Sequence, residues 1–269
     1  MDFNQQVIEE FRANRGRVGG YFEGGRLILL TTTGARTGRP RTTPLGYLPD
    51  GDRILVIGSA GGSDKHPDWY HNILADPTVT VEDGTFTYTA KATVLTGEER
   101  DAVFARAVEA DAGWGAYQEK TSRVLPVVAL EHVEGGPAGV TSMGEALRAV
   151  HDAFRRELGI IRGEVAAAAP RLGAQLRINC LTFCQGLEFH HRAEDGAMFP
   201  QLADRYPELD GVLARLRAEH ERIAELLAEL TAVVSGDGDD VLSRVDALIA
   251  DLERHLVYEE EQLIPLLDA

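Results

Sequence analysis

The sequence predicts an α+β protein in two parts: an antiparallel β-barrel, then an up-down bundle of four helices. Three observations lead there. Before residue 134, short β-rich runs alternate with turns bearing Gly and Pro, the pattern of hairpins. After residue 142, apolar residues recur at intervals of three and four over long stretches, the pattern of amphipathic helices. Between them, residues 134–142 form a Gly/Pro/Ser/Thr run that reads as a linker. A chain of 269 residues suits two domains, taken here as 1–133 and 143–269.

Each element follows from its local pattern. Residues 4–15 form a short amphipathic helix, with Val7, Ile8 and Phe11 on one side. Residues 26–33 (RLILLTTT) are β-rich. Residues 42–48 and 53–58 flank the turn Pro49-Asp50-Gly51-Asp52, and 78–82 and 85–95 flank Asp83-Gly84, giving two hairpins. Residues 67–75 should be helical with Pro67 in the first turn. Thr96 and Glu99 fit a capping box opening a helix to about residue 110. Residues 124–130 make a last strand. Ser142 and Glu145 fit a second capping box. Four helices follow, roughly 143–168, 172–192, 209–234 and 241–267, joined by short connections that favour the up-down order.

Composition excludes several function classes. Net charge is −16, split as −4 before residue 134 and −12 after it, which argues against nucleic-acid binding. No apolar run reaches transmembrane length, and the opening MDFNQQVIEEF is not a secretory signal, so a cytoplasmic location is expected. Two cysteines, Cys180 and Cys184, cannot make a disulfide framework and read as buried core residues.

Each predicted helix of the second half carries a histidine: His151, His190, His220 and His255. Two of them have a carboxylate one helical turn on, as His190-x-x-x-Glu194 and His255-x-x-x-Glu259, so both groups of a pair project from one face. His151 shares a stripe with Leu147, Phe154 and Leu158 and points inward. Imidazole with carboxylate suits iron, manganese or zinc, and two carboxylates that bridge favour two metals. Four His and two bridging Glu make eight bonds, and a bridging oxo or hydroxo adds two. Two six-coordinate metals need twelve, leaving about two open positions, whereas a structural site would be closed.

The segments His190-His-Arg-Ala-Glu194-Asp-Gly-Ala-Met-Phe-Pro200 and His255-Leu-Val-Tyr-Glu259-Glu-Glu-Gln-Leu-Ile-Pro265 resemble the two signature helices of hemerythrin-like domains. The resemblance covers about residues 145–267 and implies a four-helix bundle around a non-haem di-iron centre. Hemerythrins usually carry a second His one turn after the third-helix His, and here that position is Ala224. The site is then either one ligand short or uses another residue, for which His191 is the candidate, although it lies about 100° round the helix from His190.

In the first half, Gly34-Ala-Arg36-Thr37-Gly38-Arg39-Pro-Arg41 follows a strand. Glycine permits close backbone approach, and arginine binds phosphate or carboxylate through two parallel hydrogen bonds. A second loop, Ser59-Ala60-Gly61-Gly62, precedes the helix Trp69-Tyr-His-Asn72, another natural anion site. Together with His66-Pro67, Asp76-Pro77 and the tail Tyr117-Gln-Glu-Lys-Thr-Ser-Arg-Val-Leu-Pro126, these segments resemble the deazaflavin-dependent nitroreductase family, over nearly all of residues 5–132. The resemblance implies a split β-barrel that binds reduced coenzyme F420 and passes hydride to a small-molecule substrate. By that likeness Arg36, Thr37, Gly38, Arg39 and Arg41 hold the phosphate and glutamyl tail. Ser59, Ala60, Gly61, Gly62, Trp69 and Asn72 line the ring side, and Tyr117 sits near the substrate as the catalytic candidate. Two positions depart from the family: Ala60 stands where Lys is frequent, and Trp114 where Tyr is common.

The combined expectation is an oxidoreductase that uses reduced F420, coupled to two iron ions that bind dioxygen or a related small oxidant, in a chain open to homo-oligomerisation. The alternative is an oxygen or iron sensor in which the barrel only regulates.

Overall fold

The structure, a computed structural model, describes residues 3–137, 139–168, 171–236 and 240–268. Residue 138 of the expected linker and the outermost residues of the two expected domains (1, 2 and 269) lie outside that set. The chain divides into two compact units, Met1–Ala138 with Gly173–Ile178, and Gly139–Leu172 with Asn179–Ala269. Among the described residues no helix is long and apolar enough to cross a membrane.

The first unit is a closed antiparallel barrel. Its strands are β1 (Leu27–Thr33), β2 (Pro40–Asp50), β3 (Arg53–Ile57), β4 (Thr78–Glu82), β5 (Phe86–Val94) and β6 (Val127–Pro137), in the order β1-β2-β3-β6-β5-β4. Side chains alternate across each strand. Ile28, Leu30, Val56, Val79, Val81, Ala90, Ala92, Val128 and Leu130 therefore meet on one shared face, the barrel interior. The other face is also covered. Leu27 and Leu29 pack on Val7, Ile8 and Phe11 of α1 (Phe3–Ala13). Leu55, Ile57, Val127 and Ala129 pack on Val103 and Ala107 of α3 (Gly97–Ala110). Burial on both faces is why these strands read as continuous apolar runs.

Both hairpins form, with Asp50 opposite Arg53 and Glu82 opposite Thr87. The expected linker needs correction at its start. Strand β6 runs through residue 137, pairing Gly135 with Tyr88 and Gly136 with Thr87. A Cβ on Gly135 would lie 2.5 Å from Tyr88 Cα, so this glycine serves close strand packing rather than chain flexibility. Thr96 makes no side-chain cap, and α4 (Gly113–Glu119) appears where two glycines in seven residues concealed a helix.

The second unit contains α5 (Met143–Ala167), most of α6 (Ala174–Ala193), α7 (Phe199–Arg205), α8 (Asp210–Ser235) and α9 (Val241–Leu267). Ser142 caps α5, its hydroxyl accepting from Glu145 N at 3.1 Å, while the Glu145 carboxylate reaches back to Thr141 N at 2.7 Å. Between α6 and α7 the helix widens into a π turn over Glu194–Met198. Such turns frequently occur at functional sites.

Candidate functional site

In the barrel, the 34–41 loop joins β1 to β2. Gly38 has φ +64 and donates to Gly34 O at 2.7 Å, closing the loop on itself. Asn72 holds it from behind. In α2 (Asp68–Ala75), Asn72 Oδ1 accepts from Ala35 N at 2.9 Å and its Nδ2 donates to Thr32 Oγ1 at 3.0 Å. Arg36, Arg39 and Arg41 are exposed, and none has a carboxylate partner among the described residues. Three unneutralised guanidinium groups on a backbone-fixed loop have the chemistry to receive an anion.

The second loop reaches the same region through α2. Ala60, Gly61 and Gly62 have φ +47, +65 and +84, three left-handed residues in succession. For Ala60 that conformation is strained, a feature that concentrates at functional sites. A Cβ on Gly62 would meet Lys120 Cβ at 2.8 Å and Tyr117 O at 3.1 Å, so the end of α4 presses directly on this loop and brings Tyr117 beside it. Trp69 is buried with Ile73 in the barrel-interior cluster.

Arg123 clamps the loop. It donates to Gly58 O at 3.0 Å, Ser59 O at 2.7 Å and Ser63 O at 2.7 Å, and lies 3.1 Å from His66 Nδ1. Arginine only donates, so Nδ1 of His66 accepts and its proton sits on Nε2. Burial, the Arg123 charge and His71 hold the His66 pKa below the usual imidazole value. Arg123→Met is expected to free three carbonyls and raise the His66 pKa toward its ordinary value, at a cost of about 1–3 kcal/mol in stability. An NMR titration of His66 beside a denaturation curve checks both; an unmoved pKa shows that Arg123 does not set the state of that ring.

In the helical unit, the structure brings every sequence-derived candidate to one place. His151, His190, Glu194 and Glu259 form one group with ligand atoms within 4.8 Å of one another, and His191, His220 and His255 form a second. The two Glu span both groups. Glu194 lies 3.0 Å from His190 Nε2 and 3.5 Å from His220 Nε2, and Glu259 lies 3.4 Å from His151 Nε2 and 3.5 Å from His255 Nε2. His191 Nε2 and both carboxylates have no hydrogen-bond partner despite burial. Acceptors face acceptors there.

Three of the outer nitrogens are occupied. His151 Nδ1 donates to Glu260 at 2.9 Å, His220 Nδ1 to Asp195 at 3.0 Å, and His255 Nδ1 to Glu219 at 3.1 Å. Each bond crosses to a neighbouring helix and fixes the tautomer that leaves Nε2 bare. His220 Nε2 and His255 Nε2 then confront each other at 3.2 Å as two lone pairs, a repulsive contact that a cation would relieve. Loss of water lowers the pKa of all five imidazoles, His190 to about 3 and His255 to about 4, so they are neutral donors. Burial raises Glu194 and Glu259, and their acidic neighbours push further. Neutral imidazoles and destabilised buried carboxylates, turned inward and unpaired, fit a divalent or trivalent cation pair. The cysteines stand apart: Cys180 and Cys184 are buried, burial pushes the Cys184 thiol up to about 11, and neither cation group includes them.

Residues 4–132 match the F420H(2)-dependent quinone reductase family and residues 142–267 match the hemerythrin HHE cation binding domain. An F420H(2)-dependent quinone reductase of Mycobacterium tuberculosis H37Rv is 40% identical over 124 residues, covering 45% of this chain and 83% of the relative. The chain belongs to the F420H(2)-dependent quinone reductase family. To that reductase domain it joins a hemerythrin HHE domain. A second M. tuberculosis relative is 30% identical over 103 residues, covering 38% of this chain and 87% of that one. A solved F420-H2 dependent reductase is 41% identical, covers 39% of this chain and 94% of its own, and superposes with a TM-score of 0.37.

Sequence reasoning about this reductase–hemerythrin fusion missed Arg123 as a clamp and the three outer carboxylates. A signal existed for the latter: Asp195 follows Glu194, Glu219 precedes His220 and Glu260 follows Glu259. An acid next in sequence to an inward residue is turned about 100° and faces the adjoining helix. Of the residues expected to line the ring side, Trp69 is buried in the barrel-interior cluster and Asn72 holds the arginine loop.

Proposed function

We propose that the chain is an oxidoreductase whose barrel passes hydride from reduced coenzyme F420 to a small quinone-class acceptor. In the same reading its helical domain holds two iron ions that meet dioxygen or a related small oxidant. The observation that carries the barrel half is the exposed, unneutralised trio Arg36, Arg39 and Arg41. The coenzyme's phosphate and glutamyl tail is polyanionic, and paired guanidinium donors suit it. Thr37 and Gly38 shape the same loop, Ser59, Ala60, Gly61 and Gly62 offer backbone to the ring, and Tyr117 stands by the substrate. Asn72 and Trp69 act from behind by holding the loop and the interior wall.

The inward set of the helical domain supports the metal half: His151, His190, His191, His220, His255, Glu194 and Glu259. These seven residues would hold the two ions, and His191 would add one ligand to the six expected, leaving fewer positions open than a site without it. Bound there, iron would supply one-electron redox chemistry at a position accessible to a small oxidant. The chain's own residues orient the imidazoles through Glu260, Asp195 and Glu219 and exclude water from the centre.

The test compares the wild type with His255→Ala, each given reduced coenzyme and a quinone under air and under nitrogen. Coenzyme oxidation faster under air, and only in the wild type, is the expected result. Equal rates in both proteins under every condition would separate the two domains catalytically and favour a sensing role for the helices.

A further inference from the structure

The proposed function leaves a mismatch in electron count. A deazaflavin gives up two electrons together as hydride, whereas a ferric ion accepts one. A cleft in the helical domain, away from the inward side of the centre, addresses that mismatch. It lies between α8 and α9, has a volume of about 370 Å³, and its wall includes His255. That volume is within the range of small-molecule sites.

Its lining is specific. Ile223 and Val257 supply apolar surface beside the Tyr258 ring, and Val257 is 40% exposed, so the mouth is open. The Arg215 guanidinium lies 3.6 Å from the centre of the Tyr258 ring and donates to Glu219 Oε1 at 2.8 Å. Glu219 Oε2 in turn receives the His255 Nδ1 proton at 3.1 Å. One connected row, Tyr258–Arg215–Glu219–His255, thus runs from the cleft to an imidazole whose other nitrogen faces the candidate metals. Basic and acidic groups in the lining nearly balance, and Arg222 and Arg254 are both held by Asp251. Neither a strongly anionic nor a cationic ligand is favoured. A flat ring with a polar oxygen at each end suits an apolar floor edged by alternating donors and acceptors.

We propose that this cleft binds a quinol, the two-electron product of the barrel, and is where its electrons enter the metal centre. The inference rests on the function proposed above. In the barrel, a quinone takes hydride from the reduced coenzyme and a proton from water, becoming a quinol. In the cleft the quinol returns to quinone: two ferric ions each gain one electron and become ferrous, and the two phenolic protons leave to water at the open mouth. Quinols release electrons singly, which deazaflavin does reluctantly, so the quinol converts one kind of electron transfer into the other.

The experiment uses the full chain loaded with zinc, which is diamagnetic and accepts no electrons, with menadione as probe. Saturable shifts of the Glu219, Val257 and Tyr258 amide NMR signals are expected. Val257→Glu, a change at an exposed position, should weaken the binding read at those signals by about tenfold or more, because it sets a charge against an apolar ring. Silent signals at saturating menadione overturn the proposal, as does an unchanged affinity in Val257→Glu. Oxidation of reduced F420 by menadione, assayed separately, keeps the two readings distinct. Normal oxidation with a silent cleft removes the cleft and leaves the barrel's function standing. A responsive cleft with no coenzyme oxidation supports the cleft as a quinone site and overturns the barrel reading.

Discussion

Replacing Glu194 or Glu259 by Ala is expected to empty the helical domain of metal and, at the same time, to stabilise the metal-free protein. The two effects have one origin. Both carboxylates are buried, have no hydrogen-bond partner, and sit beside bare imidazole nitrogens. Without a cation each is an uncompensated polar group, and its removal relieves about 1–3 kcal/mol. With a cation each would bridge, so its removal abolishes the linkage stabilisation, which is about 4 kcal/mol at a thousandfold excess over Kd. Thermal melts with and without chelator, beside metal analysis, should therefore cross: the wild type gains from metal and the variants do not, while the metal-free variants melt above the metal-free wild type. Variants that keep two ions per chain would remove both residues from the site. The pH dependence of the metal-free wild type has a definite sign. Burial raises both carboxyl pKa values in the folded state, Glu259 to about 8 and Glu194 to about 10, and lowers those of the five imidazoles, which oppose them below the ordinary imidazole value. Above that value the imidazoles are neutral in both states and the native protein holds more protons than the unfolded one, so stability falls as pH rises from about 7 through the folded carboxyl values. A metal-free protein that grows more stable over that range would contradict the burial of this pair.

The double change Arg36→Ala and Arg39→Ala is expected to weaken F420 binding by roughly 2–4 kcal/mol, about 30- to 1,000-fold, through loss of charge-assisted hydrogen bonds to the tail. Stability should be nearly untouched, because both side chains are exposed and their loop is held by Asn72 and Gly38 rather than by the guanidinium groups. The wild-type affinity should also drop with added salt, as expected for exposed charges, and the variant's much less. Fluorescence titration of the coenzyme at two salt concentrations reads both. An affinity that the double change leaves intact would take the tail off this loop.

Part of the site was legible because its signals are local. One His per predicted helix, with two carboxylates one turn on, needs only the helical repeat to be read as convergent. The arginine loop needed only its composition and its place after a strand. His191 was harder. Its imidazole stacks on His220 with centroids 4.1 Å apart, yet one helical step separates it from His190, and a single-helix projection turns them apart. Both reach the centre because they straddle the inward direction where several helices meet. The π turn that follows, Glu194–Met198, has no sequence pattern comparable to a cap or a glycine turn.

The sequence by itself determined most of the strands and helices, the two-part organisation, six of the seven inward ligand candidates, and the arginine-bearing loop. These depend on periodicity, turn residues and one-turn spacing, interactions between residues close in the chain. Only the tertiary structure decided the order in which six strands close, the pairing of Gly135 and Gly136 inside β6 where a linker was expected, and the Arg123 clamp on a loop some sixty residues upstream. It also decided that Glu260, Asp195 and Glu219 each orient an imidazole on another helix. These contacts join residues distant in sequence. Their partners are selected by how the elements pack, and no spacing within one element carries that information.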